Sequence, residues 1–524
     1  MKNQRSEKYI IIELLRIITQ FIFFFIFFYL ILITKYPEKD VLSAPVNIFF
    51  KFDPLIPLVN LVSSHILLKA FYFSLITLMI TILFGRFFCG WICPLGSLLQ
   101  LFSFIFRKAK IFIQLKDKES RLLWKYYLLI AFLIFSIFSV NLFGIIDPFS
   151  LLYRSFTNSV FPVAGKILDS VIFIFYSINM NLFVELGDRI SQFMESYYMD
   201  LNFDQGLFIG LIFLVIIFLN SLKDRFWCRA LCPLGALLGI FGNFSFLKLK
   251  LDRSKCNECK LCNIRCPTEA TPFPENKWKA SECIFCFTCA KVCPYSGITF
   301  PLESKPALNK TVNFEKRKLI FTGMAGVVLA PFFKISSAVK NADPSLIRPP
   351  GAVKEEEFVK KCIKCSECIK VCPTNGLHPS LFEGGFETLW TPKLVPKIGY
   401  CEYNCYLCSQ VCPTDAIEKI TMEKKKKIHI GTAFVDKDRC LPFSFGINCI
   451  VCEEHCPTSP KAIKMVEEEV TTKDGKKIMK VPVVIPEECI GCGICEYKCP
   501  VRDLAAIRIT SVGETRSEKN VMLL

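Results

Sequence analysis

The stretch "CIKCSECIKVCP", residues 362–373, sets Cys362, Cys365, Cys368 and Cys372 in the order C-x2-C-x2-C-x3-C and follows the last with Pro373. The same order, closed by proline, recurs at Cys256, Cys259, Cys262 and Cys266, at Cys283, Cys286, Cys289 and Cys293, and at Cys489, Cys492, Cys495 and Cys499. Two variants stretch the first gap: Cys401, Cys405, Cys408 and Cys412, and Cys440, Cys449, Cys452 and Cys456. These motifs use all but four of the 28 cysteines. The remaining four, Cys89, Cys93, Cys228 and Cys232, form C-x3-C-P twice, in "FFCGWICPLG" (87–96) and "FWCRALCPLG" (226–235).

Three thiolates at x2 spacing cap one face of a [4Fe–4S] cube, and the fourth, before proline, reaches a partner cluster. The tight loop lets backbone amides point at the sulfurs, which sets the potential. Zinc sites use C-x2-C pairs at longer separations, so six successive triplets argue against zinc. Regular spacing in a chain of 524 residues also points to metal rather than disulfides. The expected complement is six [4Fe–4S] clusters. The first two motifs read as one two-cluster unit, with Cys266 serving the second cluster and Cys293 the first. In the last four, neighbours pair (first with second, third with fourth) or one unit is inserted in another (first with fourth), and spacing leaves both open.

Hydrophobic residues make up 52% of the chain and its mean hydropathy is +0.40, the profile of a membrane protein with soluble parts. Apolar runs at about 9–33, ending at 88, at 126–146 and at 206–220 read as membrane helices; a piece near 171–184, broken by Asn179 and Asn181, reads as interfacial or re-entrant. The net charge of +17 flanks apolar segments rather than forming a nucleic-acid surface. Lys2, Arg5 and Lys8, then Arg86, Arg107, Lys108 and Lys110, then Lys223 and Arg225 place the N-terminus and both C-x3-C-P motifs in the cytoplasm. The four histidines, His65, His378, His429 and His455, provide no intramembrane pair for b-type haem, and no C-x-x-C-H attaches a c-type haem. "GRFFCGWICPLGSLL" (85–99) aligns without gaps to "DRFWCRALCPLGALL" (224–238). Two parallel helix-pair repeats follow, related by an axis along the membrane normal that brings Cys89, Cys93, Cys228 and Cys232 together. Those four would hold a seventh cluster or another metal, or act as a redox dithiol.

The expected fold is therefore multi-domain. Residues 1–250 form an α-helical membrane domain and 251–305 a cytoplasmic two-cluster α+β ferredoxin-like domain. Residues 306–345 form a tether, its apolar core at 319–333 preceded by the twin-arginine-like "KRKLIF" (316–321), and 346–524 a four-cluster ferredoxin-like domain on the periplasmic side.

Residues 1–300 resemble the NapH family and the related membrane parts of NosR and CcoG, on the two C-x3-C-P motifs, "DPFSLLYR" (147–154) and the ferredoxin pair. Residues 313–524 resemble NapG/MauM-type ferredoxins, on "LIRPPGA", "CIKCSECIKVCP", "CPTDAI" and "CIGCGICEYKCP". The chain departs from that pattern in its internal export-like segment, with lysine for the first arginine, and in the long gap from Cys440 to Cys449. The resemblance implies a prokaryotic inner-membrane, multi-pass electron-transfer protein of quinol dehydrogenase type. Its partners would be membrane lipid, the quinone pool and a periplasmic redox protein, a multihaem cytochrome or a reductase. His65, Asp147 and Arg154 are the candidates for a quinone site. The alternatives are a reductive maturation factor for a metalloenzyme, and electron transfer towards quinone from a soluble donor.

Overall fold

The computed structural model describes residues 2–34, 42, 47–65, 72–111, 113, 123–177, 189, 203–270, 278–303, 316–339, 343–472, 475–517 and 520. The chain forms two compact units. The first comprises Met1–Leu32, Ile48–Leu152 and Gly210–Ala330, the second Ile33–Asn47, Tyr153–Ile209 and Pro331–Leu524.

The helices of the first unit are inside out relative to a water-soluble protein. The buried residues of the helix Tyr72–Phe84 are Ser74, Thr77 and Thr81, while Tyr72, Phe73, Leu75, Ile76, Met79 and Leu83 are exposed. Helix Lys2–Ile33 turns Ile11, Leu14, Phe21 and Phe25 outward and buries Arg16 and Gln20. Helix Gly206–Leu222 buries Asn220 and exposes Leu211, Leu214 and Phe218. On these three helices polar groups face inward and large apolar side chains face out.

Two helices, Glu7–Ile33 and Pro148–Ile174, are long and apolar enough to cross a membrane. The other expected spans are shorter among the described residues: Tyr72–Phe84, Trp124–Ile137 and Gly206–Leu222. The run expected at 126–146 stops being helical after Ile137 because the chain turns at Ser139, in the left-handed region with φ 65°. The largest difference from the sequence reading lies at 148–177, where one continuous helix replaces a loop and a short apolar piece. A single π turn at Phe156–Val160 joins Pro148–Ser155 to Phe161–Ser177. That widened turn precedes Pro162, whose missing N–H would otherwise break the ladder. The end of the piece expected at 171–184 lies outside the described residues. The segment expected as a tether forms one helix, Lys316–Val339, with Pro331 inside it.

The two C-x3-C-P stretches fold alike. Each places its first cysteine on a five-residue helix, Phe87–Trp91 or Phe226–Ala230. Its second cysteine is an extended cap, Cys93 or Cys232, on a helix that starts with proline, Pro94–Lys108 or Pro233–Gly242. Proline suits that first position because its absent N–H would be unpaired anyway.

The cysteine-rich parts are α+β, built from short antiparallel strand pairs that tie each motif pair together. Lys250–Leu251 pairs with Ile298–Thr299, Leu377–Pro379 with Pro392–Leu394, and Thr432–Val435 with Ile507–Thr510. A hairpin of two ten-residue strands, Ile463–Thr472 and Gly475–Val484, is inserted between the last two motifs.

Candidate metal centres

The cysteines gather in fours, and each four mixes two neighbouring motifs. Cys266, Cys283, Cys286 and Cys289 line one cavity. Cys362, Cys365, Cys368 and Cys412 line a second, and Cys372, Cys401, Cys405 and Cys408 a third. Cys440, Cys449, Cys452 and Cys499 line a fourth, and Cys456, Cys489, Cys492 and Cys495 a fifth. Cys293 stands beside Cys262, next to Cys259, which completes the exchange begun by Cys266. Neighbours therefore pair throughout. Among the described residues no three His, Cys, Asp or Glu side chains are drawn in around one metal-ion position; the thiols instead surround apolar cavities. Four thiolates per cavity, walled mostly by apolar side chains, are the donor set and dry shell of a [4Fe–4S] cluster.

The backbone of the four unstretched motifs repeats one device. The second and fourth residues after the leading cysteine are left-handed: Glu258 and Lys260, Phe285 and Phe287, Lys364 and Ser366, Gly491 and Gly493. Six of these eight are not glycine, and such residues hold positive φ only where surroundings impose it. The loop so formed wraps the sulfurs. Elsewhere amides reach them directly, from Gly297 to Cys293 Sγ at 3.3 Å and from Ala433 to Cys489 Sγ at 3.4 Å. Four of the motifs end in Cys-Pro-Thr, and each threonine hydroxyl lies near the cysteine two residues back, at 3.3 Å for Thr458 and Cys456 and 3.6 Å for Thr374 and Cys372. The tripeptide is visible in the sequence, although the cysteine spacing does not ask for it. Burial pushes the thiol of Cys362 up to about 11 and that of Cys405 up to about 12, so metal loading at these sites releases protons.

In the second unit the pairs join end to end. The Cys401 amide donates to the Cys492 carbonyl at 2.8 Å, so the cavity of Cys372 and Cys401 adjoins that of Cys456 and Cys489. The first cavity is clamped by the helix of Arg154. Arg154 Nη1 donates to the Lys364 carbonyl at 2.8 Å and its guanidinium stacks on Trp390, 4.2 Å from the ring centre. Asn158 Nδ2 donates to Ser366 Oγ at 3.1 Å. Arg154 and Asn158 thus each hold one of the two left-handed residues of that motif.

The first unit has an equivalent clamp. Trp91 Nε1 donates to the Phe285 carbonyl at 3.0 Å, and Gly90 packs so closely that an added Cβ would lie 2.2 Å from the Ile284 carbonyl oxygen. In the second copy Arg229 occupies the position aligned with Gly90 and pairs with Glu269 at 3.1 Å. Beneath this seat lies a buried ion cluster that the sequence reading missed. Glu282 accepts from Lys125 at 2.5 Å, Arg86 at 3.1 Å and Tyr126 at 3.1 Å.

Cys89, Cys93, Cys228 and Cys232 converge, each within electrostatic reach of the other three. The aligned arginines cross between copies. Arg225 donates to the Cys89 carbonyl at 3.0 Å and to Gln100 Oε1 at 2.7 Å, and Arg86 Nη2 lies against Gly235. Arg16 and Gln20 complete the network through Gln100 and the Gly90 carbonyl.

The proposed quinone residues stand in different surroundings. His65 is exposed at the left-handed C-cap of Leu55–Ser64. Asp147 is fully buried and its carboxyl hydrogen-bonds that of Asp53, also fully buried; a hydrogen bond between two carboxyls requires a shared proton. Each aspartate precedes a proline and caps the turn after it, Asp53 accepting from Leu55 and Asp147 from Ser150, both at 2.8 Å. Asp53 carries no sequence signal beyond that shared Asp-Pro.

Comparison with known proteins follows the same divisions. The "4Fe-4S binding domain" matches twice, at residues 70–112 and 205–253, around the two C-x3-C-P motifs. A "4Fe-4S dicluster domain" matches at 248–294 and another at 361–416, and a "4Fe-4S binding domain" at 482–502. The methylamine utilization ferredoxin-type protein MauM of Paracoccus denitrificans is 36% identical over 194 residues, 35% of this chain and 81% of that protein. The ferredoxin-type protein NapG of Escherichia coli is 32% identical over 198 residues, 37% of this chain and 83% of that protein. An uncharacterized protein of Methanocaldococcus jannaschii, MJ0749, is 26% identical over 232 residues, 44% of this chain and 71% of that protein. No solved structure matches. The chain binds several [4Fe–4S] clusters and belongs to the MauM/NapG family of ferredoxin-type, iron–sulfur electron-transfer proteins.

Proposed function

We propose that the chain joins a NapH-like membrane part to a NapG/MauM-like part and carries electrons from the quinone pool through six [4Fe–4S] clusters to a periplasmic redox protein. The single observation that carries this reading is the inside-out helix set coupled to cysteine fours. Helices that bury Ser74, Thr77, Thr81 and Asn220 and expose large apolar side chains fit lipid and no aqueous surround. Two parallel repeats, each ending in C-x3-C-P, belong to this reading, supported by the twofold match of one domain family. The tether also belongs to the bilayer. Its helix has 24 residues, about 36 Å at 1.5 Å per residue, and Gly326 packs so closely on Ile134 of Trp124–Ile137 that an added Cβ would lie 3.0 Å from Ile134 Cγ2, the small-residue contact that brings membrane helices together. With that helix spanning, the four-cluster domain lies outside.

A bound [4Fe–4S] cluster supplies a one-electron carrier. The chain's own residues hold it, wrap it and exclude water. They must also take up the protons released when a quinol is oxidised. Asp147, sharing a proton with Asp53 across buried surroundings, is the proton acceptor in this reading, and Arg154 orients the first motif of the outer domain. The test is anaerobic reduction of the fully loaded protein by a menaquinol analogue, followed by EPR. Reduction of the clusters supports the reading. If dithionite reduces them and quinol does not, the quinol dehydrogenase reading falls. The exposed Cys259 favours a second reading for that outcome, a soluble donor docking at the Cys256 motif.

A further inference from the structure

We propose that Lys425 is a positioning residue that raises the reduction potential of the centre held by Cys372, Cys401, Cys405 and Cys408, drawing electrons to the junction between the two cluster pairs of the C-terminal domain. In sequence, Lys424–Lys427 is a run of four lysines of the kind that covers a solvated face. The structure separates one of them from the others. The run lies on the helix Met422–Lys427, whose N-cap Thr421 accepts from the Lys424 amide at 3.3 Å. Lys424, Lys426 and Lys427 are exposed, whereas Lys425 is only 2% exposed. Its ammonium reaches into the loop between the ligands Cys401 and Cys405 and donates to the carbonyls of Glu402 and Tyr403, both at 2.8 Å. It also lies over the Tyr403 ring, 5.3 Å from the ring centre.

A buried cation is costly unless something answers its charge. Lys425 makes no ion pair with a carboxylate among the described residues; its partners are the two carbonyl oxygens and the ring face. The remaining answer is the centre itself. A [4Fe–4S] cluster on four thiolates is an anion, and an arriving electron adds one more negative charge without a proton. A fixed cation beside it therefore favours the reduced form and raises the potential. The charge of Lys425 acts on the thiols of Cys401, Cys405 and Cys408, three ligands of one centre, and on that of Cys492 in the next. The backbone bond from the Cys401 amide to the Cys492 carbonyl joins those two centres, so the cation stands where electrons cross from one pair to the other. The partly buried Glu402 opposes it, but acts on Cys401 less than Lys425 does.

This inference rests on a cluster at the Cys401 four and on no particular donor, so it and the quinol reading fail separately. The full chain is purified anaerobically in detergent as wild type, K425Q, K425R and E402Q, and its iron is counted. Each protein is titrated with dithionite and mediators, and EPR follows the centre whose signal is absent in C405S. K425Q is expected to keep full iron, because glutamine still offers N–H donors to the loop carbonyls. It should lower that midpoint by a tenfold change in the reduction equilibrium, about 59 mV for one electron. K425R keeps the charge and should stay near wild type. E402Q removes the opposing acid, leaves Lys425 in place and should move the same midpoint upward. An unshifted midpoint in fully loaded K425Q overturns the inference, and so does an equal drop in K425R. Should K425Q load incompletely, E402Q decides, and a midpoint that does not rise overturns the inference.

Discussion

Removing the Glu282 carboxylate tests how the first C-x3-C-P motif and the Cys283 cluster loop are joined. Glu282 precedes the ligand Cys283 and is 3% exposed; it accepts from Arg86, Lys125 and Tyr126 at 2.5–3.1 Å. Arg86 also donates to the Ser281 carbonyl at 3.0 Å. In Glu282→Gln the two cations stay buried without their counter-charge. Breaking a buried pair in this way costs about 3–5 kcal/mol, so about 3 kcal/mol is the floor with two cations stranded. At about 2–4 °C per kcal/mol for a unit of this size, cluster bleaching in detergent should move down by about 10 °C. The triple variant R86M/K125M/E282L removes charge and counter-charge together and should be nearer wild type than E282Q. Equal bleaching of E282Q and wild type, or a triple variant worse than the single, would refute the reasoning.

Other outcomes follow from particular residues. Cys412→Ser should remove the centre held by Cys362, Cys365 and Cys368 and spare that of Cys401, Cys405 and Cys408, read as the loss of one EPR-active centre. Gly90→Ala forces a Cβ to 2.2 Å from the Ile284 carbonyl oxygen and should cost about 1–3 kcal/mol in bleaching stability. Asp147→Asn should slow quinol-driven cluster reduction about 100-fold with iron content unchanged. Burial raises the Glu355 carboxyl, but Arg348 and then Arg516 pull it down to about 2. A carboxyl with a lowered folded-state value stabilises fully above its unfolded value near 4.5 and loses that stability as pH falls towards 2. The side chain is 36% exposed, so screening holds the effect to about 1 kcal/mol. Glu355→Gln should therefore bleach earlier at pH 7 and match wild type near pH 2.

The cysteine spacing carried most of the cofactor reading because a cluster's ligand geometry is local in the chain, three thiolates within seven residues. Partner exchange is not local. Cys412 and Cys456 each precede proline in either topology, and only the strand pairs, Thr432–Val435 with Ile507–Thr510 among them, decide which motif receives them. The 148–177 helix was obscured by Arg154, Asn158, Pro162 and Lys166, which interrupt its apolar run; three-dimensional partners such as Lys364 and Ser366 absorb two of those polar groups. Glu282, Lys125 and Arg86 were invisible for a similar reason. Each is an isolated charge in sequence, and only packing makes them one cluster. Asp147 was visible as an ionisable group closing an apolar run, whereas its partner Asp53 needed the fold.

The central claim is that electrons pass from quinol in the bilayer to the cluster chain of the C-terminal domain. The direct measurement is oxidation of menaquinol in proteoliposomes by ferricyanide, a membrane-impermeant acceptor, supplied on the side of that domain. Quinol oxidation that requires the loaded protein and is lost in a variant lacking the Cys362 centre is the expected result. Oxidation at the protein-free rate, with clusters that dithionite still reduces, would contradict it.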